Sequence, residues 1–160
     1  MNWMAGNRGK LRSQRGQSSI EFALTIVFVV VILVSMLELT MFIYTYSVLA
    51  DAAKEGVRYA IVHGASGSDA SGPASGTAST TPWPACNTPA TGSLLSTVRT
   101  YASASLHSTV TMNVYACYPD GNNKPGSAVQ VSVNYPYQPL FGLSWPQVNV
   151  YANSAGRIMF

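Results

Sequence analysis

Residues 22–37 contain no charged side chain, and Thr25 and Ser35 are the only clearly polar members of the run. Sixteen residues of helix rise about 24 Å, against a hydrocarbon core of about 30 Å. With 17–20 on one side and 39–50 on the other, the pattern predicts a helix long enough to span a membrane. Glu21 and Glu38 are separated by about 25 Å of helical rise, which would put the two carboxylates near opposite interfaces, where each can reach water. The helical period continues beyond the span. Val48, Leu49, Ala52, Ala53, Gly56, Tyr59 and Ala60 recur at three- and four-residue steps. Asp51 with Lys54 and Glu55 with Arg58 form opposite-charge pairs at i,i+3 on the polar side. Ala52, Gly56 and Ala60 make a small-residue stripe at i,i+4 that allows close approach of another backbone. That stripe fits equally the inner face of a helix packed on its own domain and a contact between subunits. His63-Gly64 is the expected stop, with Gly64 in the left-handed cap position.

The rest of the chain changes character. Residues 64–92 are dense in Gly, Ser, Thr, Ala and Pro without apolar periodicity, and read as a long loop whose second half is pinned near Trp83 and Cys86. Residues 93–106 predict a helix, with Leu94, Leu95, Val98, Tyr101, Ala102 and Leu106 on one face and Ser93 as the cap. Val110, Met112, Val114 and Ala116 alternate with polar partners, as do Val129, Val131, Val133 and Tyr135. The turn-rich stretch 119–126 between them predicts an antiparallel hairpin. Residues 136–146 read as a loop carrying Leu140, Phe141, Leu143 and Trp145. Val148 and Val150 begin a third strand running toward Ala152. The expected fold class is α+β: a long N-terminal transmembrane helix, then a small helix-plus-antiparallel-sheet domain. The expected divisions are 1–16 as a basic leader, 17–63 as the long helix, 64–92 as the loop and 93–160 as the small domain. Such a domain is marginal alone and needs the long helix, a disulfide or partner subunits.

Composition sharpens this. Charged residues make up 9% of the 160 residues, and the formal net charge is +3. The charge is unevenly placed. Arg8, Lys10, Arg12 and Arg15 lie before Gly16 with no acid among them, while the remainder carries five basic residues against six acidic, a net of −1. The basicity thus belongs to the leader, predicts an N-in, C-out single pass, and gives no support to nucleic-acid binding. Cys86 and Cys117 are the only cysteines. Both fall on the side expected to face an oxidising compartment, where a disulfide between them would contribute about 3 kcal/mol. Two cysteines without further ligands do not make a zinc site, and no metal or other cofactor is expected. Neither an H-E-x-x-H nor a G-x-S-x-G pattern occurs, and His63 and His107 sit in no nucleophile or metal motif. His107 closes the predicted second helix and reads as a polar cap. No enzymatic activity is expected.

A conventional secretory signal is the competing reading of the N-terminus. Its apolar core would span about 7–15 residues and end in a small-x-small site. Here the apolar character runs on through Met41, Phe42, Ile43, Val48 and Leu49, and Ala50-Asp51-Ala52 lies inside a continuous helical pattern.

Two blocks carry a resemblance. Gly16-Gln17-Ser18-Ser19-Ile20-Glu21-Phe22-Ala23-Leu24 resembles the glycine, four-residue spacer, Glu-Phe-Ala and apolar helix of a prepilin signal. Ala52-Ala53-Lys54-Glu55-Gly56-Val57-Arg58-Tyr59-Ala60 is similar to the A-A-R-E-G-x-R-Y-A segment of the TadE-like family, with Lys54 in place of the more usual arginine. That family comprises minor pilins and pseudopilins of tight-adherence (Tad/Flp) pili, of TadE and TadF types. The resemblance implies cleavage between Gly16 and Gln17 by a prepilin peptidase on the cytoplasmic side. It makes Glu21 the fifth mature residue, pairing with the new α-amino group and setting the register of staggered subunits. It also implies other pilin subunits and the pilus assembly platform as partners. The expected location is a bacterial cytoplasmic membrane, with the C-terminal domain outside it or in a surface pilus. The large C-terminal domain favours a role in initiation, tip formation or assembly over that of a bulk shaft subunit. The alternative is a signal-anchored envelope protein whose external domain binds or adheres, with Trp83, Trp145 or nearby tyrosines forming the patch.

Overall fold

The computed structural model of the chain describes residues 10–67, 69–72, 88–139 and 147–160, with side chains from residue 16 onward. Its elements are α1 (Lys10–Val62), α2 (Gly92–Ser103), β1 (Asn113–Cys117), β2 (Ala128–Tyr137) and β3 (Val148–Arg157). The fold is α+β, as the pattern predicts. Two units are distinguished, Met1–Thr40 and Met41–Phe160, and α1 contributes to both.

In the first unit, α1 is apolar all round and exposed: Ile20, Phe22, Leu24, Phe28 and Leu33 are each more than half accessible. A helix of this kind in water would be an aggregation liability; in lipid it is at its free-energy minimum. Its hydroxyls are satisfied within the helix. Thr25 donates to the Glu21 carbonyl at 2.8 Å, Ser35 to Val31 at 2.8 Å and Thr40 to Met36 at 2.9 Å. No polar group of these three therefore needs water.

The second unit is a two-layer α/β arrangement around one core. Alternation places Val114 and Ala116 of β1, Val129, Val131 and Val133 of β2, and Val150 and Ala152 of β3 on one sheet face, all buried. Leu49, Ala52, Ala53, Val57 and Ala60 of α1 and Leu94, Val98 and Ala102 of α2 complete that core. The sheet is antiparallel with order β1-β2-β3. Val133 lies opposite Val114 on one side and Ala152 on the other. Phe42 meets Tyr137 edge-on, with ring centroids 5.5 Å apart.

Several boundaries differ from the sequence pattern, each for a local reason. β1 begins at Asn113, because the Met112 amide donates to the Thr109 carbonyl at 3.1 Å in a turn, leaving Val110 83% exposed. β2 runs through Pro136 to Tyr137 instead of ending at Tyr135. β1 pairs with β2 only as far as Asn113 opposite Asn134, so Pro136, which pairs with Asn149, has an open side where its missing N–H costs no ladder bond. β3 continues to Arg157 although residues 152–157 lack strong strand formers; its pairing with β2 extends it. α2 starts at Gly92, after Thr91, and ends at Ser103. Ser93 therefore lies inside the helix instead of capping it, and His107 lies beyond its end, where it cannot serve as a cap.

Gly64 is also corrected. The described glycines with positive φ are Gly92, Gly121 and Gly126. Gly64 is required for space: a Cβ there would run into the Phe160 carbonyl oxygen and come within 2.9 Å of the Asn123 carbonyl. Around it the described parts of 64–92 are pinned. Ala65 donates to the Asn123 carbonyl at 2.9 Å, Ser71 to His63 at 2.8 Å, and the Asn123 side-chain amide to Gly72 at 3.0 Å. The Tyr118 hydroxyl donates to the Ser71 carbonyl. Burial of Tyr118 pushes its hydroxyl pKa above the ordinary tyrosine value, and this hydrogen bond pulls the other way. Residues 88–90 lie along β1, with Ala90 donating to Val114 at 2.8 Å and Ala116 to Thr88 at 3.0 Å. Trp83, Cys86, Leu140, Phe141, Leu143 and Trp145 fall outside the described residues.

Candidate functional site

The residues expected to carry function fall into two groups on α1. The first is at its N-terminal side. Gly16 lies within the helix, and a Cβ added there would meet nothing within 4 Å. Neither φ nor packing demands glycine at this position, although glycine in a helix interior costs about 1 kcal/mol relative to alanine. One turn on, the Gln17 side-chain amide donates to the Glu21 carboxylate at 3.1 Å, with both side chains exposed. Glu21 thus projects from the mouth of an apolar helix and is held by a neutral partner. Glu38, at the far end of the same apolar run, is half-buried.

The second group is the stripe Ala52, Gly56 and Ala60. All three are buried. A Cβ on Gly56 would lie 2.6 Å from Val98 Cγ2 of α2 and 3.1 Å from Val131 Cγ1 of β2. The stripe therefore lets α1 descend onto the chain's own sheet and second helix, and its surface is occupied within the unit. On the opposite, exposed side Lys54 pairs with Asp51 at 2.9 Å and Arg58 with Glu55 at 3.3 Å. Exposed pairs of this kind stabilise a helix by a few tenths of a kcal/mol.

Elsewhere, Cys117 is fully buried at the end of β1, and no described cysteine is free. Cys86 lies outside the described residues. The His63 ring stacks on Tyr59 with centroids 4.0 Å apart, and its Nδ1 lies 2.9 Å from the Tyr59 carbonyl. His63 is thereby engaged in terminating α1. His107 is exposed. Among the described residues no group of three or more His, Cys, Asp or Glu side chains converges to hold a metal.

Two features escaped the reading from sequence. Asn123, in a turn that looks generic, is fully buried and ties the end of α1 to the hairpin. Only its position in a run of turn residues was visible. Ser132, on the polar half of alternating β2, is nonetheless 1% exposed, which alternation alone does not reveal.

The described residues contain one helix long and apolar enough to cross a membrane, Gly16–Val62, with a mean hydropathy of 2.8 in its most apolar window and none of that window buried. This is the character of a membrane-anchoring segment. Residues 16–58 match the family model described as TadE-like protein, a family associated with Tad pili. The matched stretch contains Gly16, Glu21, Ala52 and Gly56, and it ends before α2 and the sheet. No curated protein and no solved structure matches the chain.

Proposed function

We propose that the chain is a minor pilin or pseudopilin of a Tad-type pilus, anchored by α1 with its C-terminal domain outside the cytoplasmic membrane and processed between Gly16 and Gln17. The observation that carries this reading is the coincidence of the TadE-like match over 16–58 with a helix that is lipid-suited in its first part and core-forming in its second.

The local chemistry supports processing. Glycine at 16 serves neither packing nor backbone geometry in the fold, so its demand comes from outside it, as the small residue a peptidase would accept. The same glycine weakens the helix where the scissile bond must open. Cleavage leaves an α-amino group on Gln17, one turn from Glu21. A cation there replaces the neutral Gln17 amide as the carboxylate's partner, within the subunit or across to a neighbour, and offsets the cost of holding either charge beside hydrocarbon. Removal at Ala50-Asp51-Ala52 by a conventional signal peptidase would instead delete Leu49 and Ala52 from the core and leave Ala53, itself buried, at a new terminus. The basic leader, with no acid before Gly16, sets the N-in orientation.

A disulfide between Cys86 and Cys117 belongs to the same reading. Thr88 bonds to Ala116, the neighbour of Cys117, and two residues of chain reach at most about 7 Å. The reach fits the Cα separation of a disulfide. The second unit, Met41–Phe160, is much larger than a shaft subunit built almost wholly of helix would need. It suits a component that starts, tips or assembles the fibre and supports adherence.

The test is genetic. Cells lacking the chain are expected to lose sheared surface pili, with recovery by the parent and not by Glu21→Ala. Undiminished pili in the deletion strain would overturn the assignment.

A further inference from the structure

The end of the second unit at which α1 enters it is built by both helix and sheet. A Cβ on Gly56 would meet Val131 Cγ1 at 3.1 Å, and Phe42 meets Tyr137 with ring centroids 5.5 Å apart. From Gly56 back to Phe42 the helix falls by about 21 Å, and from Val131 to Tyr137 the strand covers about 20 Å. β2 therefore runs antiparallel along α1 and ends beside Phe42. Val148 of β3 pairs with Tyr137 and belongs to the same end.

Three observations set this end apart from an ordinary solvated surface. Tyr44 and Tyr46 flank the buried Thr45, each about half exposed, and Val148 is exposed with them. No charged residue lies between Glu38 and Asp51 on α1, or between Lys124 and Arg157 through β2 and β3. The unit carries its charges elsewhere: from Asp51 onward on α1, at Asp69 beyond it, at Arg99 in α2, at Asp120 and Lys124 in the hairpin turn, and at Arg157 at the far end of β3. An end that faced water would ordinarily share in them. The third observation is depth along the helix. Residues 22–41 rise about 30 Å, the thickness of a hydrocarbon core. The polar layer beyond that core is about 5–7 Å deep, and the helix from Phe42 to Tyr46 rises about 6 Å. Glu38 then lies one turn short of this layer, within reach of it. Tyrosine, an apolar ring with a polar tip, is enriched at that depth. The surface is thus continuous with the membrane-spanning run and offers no charge to an acidic or basic partner.

We propose that Tyr44 and Tyr46 of α1 and the Tyr137–Val148 end of the sheet lie in the headgroup layer of the membrane that α1 crosses, so that the sheet as well as the helix seats the domain on lipid. The proposal rests on the reading of α1 as a membrane span, and its test separates the two. The full chain carries the photo-crosslinker p-benzoylphenylalanine at position 32, 148 or 155 and is reconstituted in palmitoyl-oleoyl-phosphatidylcholine vesicles. Ala155 is exposed and lies about 23 Å along β3 from Val148. Mass spectrometry after illumination should show lipid adducts at 32 and 148 and none at 155. Adducts at 32 without any at 148, adducts at 148 and 155 alike, or a crosslink from 148 to a second copy in place of lipid would each overturn the proposal and leave the span standing. No lipid adduct at 32 would overturn both. The unsubstituted chain gives a second readout that no misfolded variant can confuse. Tyr44, Tyr46 and Tyr101 are each close to half exposed in the protein. In the same vesicles hydroxyl radicals should oxidise Tyr101 and spare Tyr44 and Tyr46; equal oxidation of the three would overturn the proposal.

Discussion

Gly56 and Gly64 are both needed for space, but what they admit differs. At Gly56 the nearest obstacles to a Cβ are side-chain methyls, Val98 Cγ2 at 2.6 Å, which must move aside, and Val131 Cγ1 at 3.1 Å, which must give by a few tenths of an ångström. At Gly64 they include the backbone oxygens of Phe160 and Asn123, fixed by the meeting of α1, the hairpin turn and the chain after β3. Gly56→Ala is expected to cost about 1–3 kcal/mol, in the range of core overpacking, and Gly64→Ala more, measured by urea unfolding in detergent. Equal losses would show that the 64–123–160 junction yields as easily as the core. The sequence marked both glycines, yet it misread the second as a left-handed cap. A glycine at a helix end commonly serves that purpose, and the close approach that operates here involves residues about 60 and 96 positions away, which no local pattern records. Tyr118 gives a pH signature at the same scale. Its burial raises the hydroxyl pKa above the ordinary tyrosine value of about 10, so the folded state keeps the proton longer than the unfolded chain. The contribution is complete below about pH 10 and is lost as pH rises through the raised folded value. Unfolding midpoints measured between pH 9 and 11 should fall more steeply for the parent than for Tyr118→Phe.

At the scale of elements, legibility follows the source of the order. α1 was readable along its length because two strong periodic signals, an apolar run and an amphipathic stretch, abut without a breaker. The inward rows of β1 and β2 were readable from strict alternation of Val and Ala with polar residues. The second half of β3 was not: Asn153, Ser154, Ala155 and Gly156 do not propose a strand, and they become one only through pairing with Val129–Ser132 partners across the ladder. The end of α2 was overextended because Leu106 continues the apolar period. Its side chain does pack against the core, but from a turn in which its amide donates to the Ala102 carbonyl at 2.8 Å. The first part of α1 carries a prediction of its own. Ile32 sits within the apolar run and is half exposed. A lysine near the middle of a span costs about 2.5–3.5 kcal/mol on insertion scales. Ile32→Lys should therefore shift the chain from the carbonate-resistant membrane fraction toward the soluble or degraded fraction, whereas Lys54→Ala should not. Retention of both variants would mean that this segment is not what holds the chain in the membrane.

For the whole molecule, one helix serves two environments: its first part is suited to lipid, and its second part supplies a quarter of the buried residues of a small protein core. Anchoring and folding thus share α1, and a cleavage that removed residues up to Ala52 would destroy the domain while releasing it. The domain's remaining need is stabilisation on the β1 side, where residues 88–90 lie against the sheet edge. With Cys86 and Cys117 joined, Cys117→Ser should lower stability by about 3 kcal/mol under oxidising conditions and by little in excess reductant; an unchanged midpoint in both would exclude the bond. The candidate processing site was legible because it is local in sequence, a glycine five residues before a glutamate, whereas the junction of Gly64, Asn123 and Phe160 exists only once the fold brings distant segments together. The central claim is that the chain enters the pilin pathway through Gly16. Its most direct test is the N-terminus and intact mass of the membrane-extracted protein, from cells with and without the prepilin peptidase. The account predicts a chain starting at Gln17 that appears only when the peptidase is present. A chain that keeps its basic leader in cells with active peptidase, or one that begins at Ala53, would contradict it.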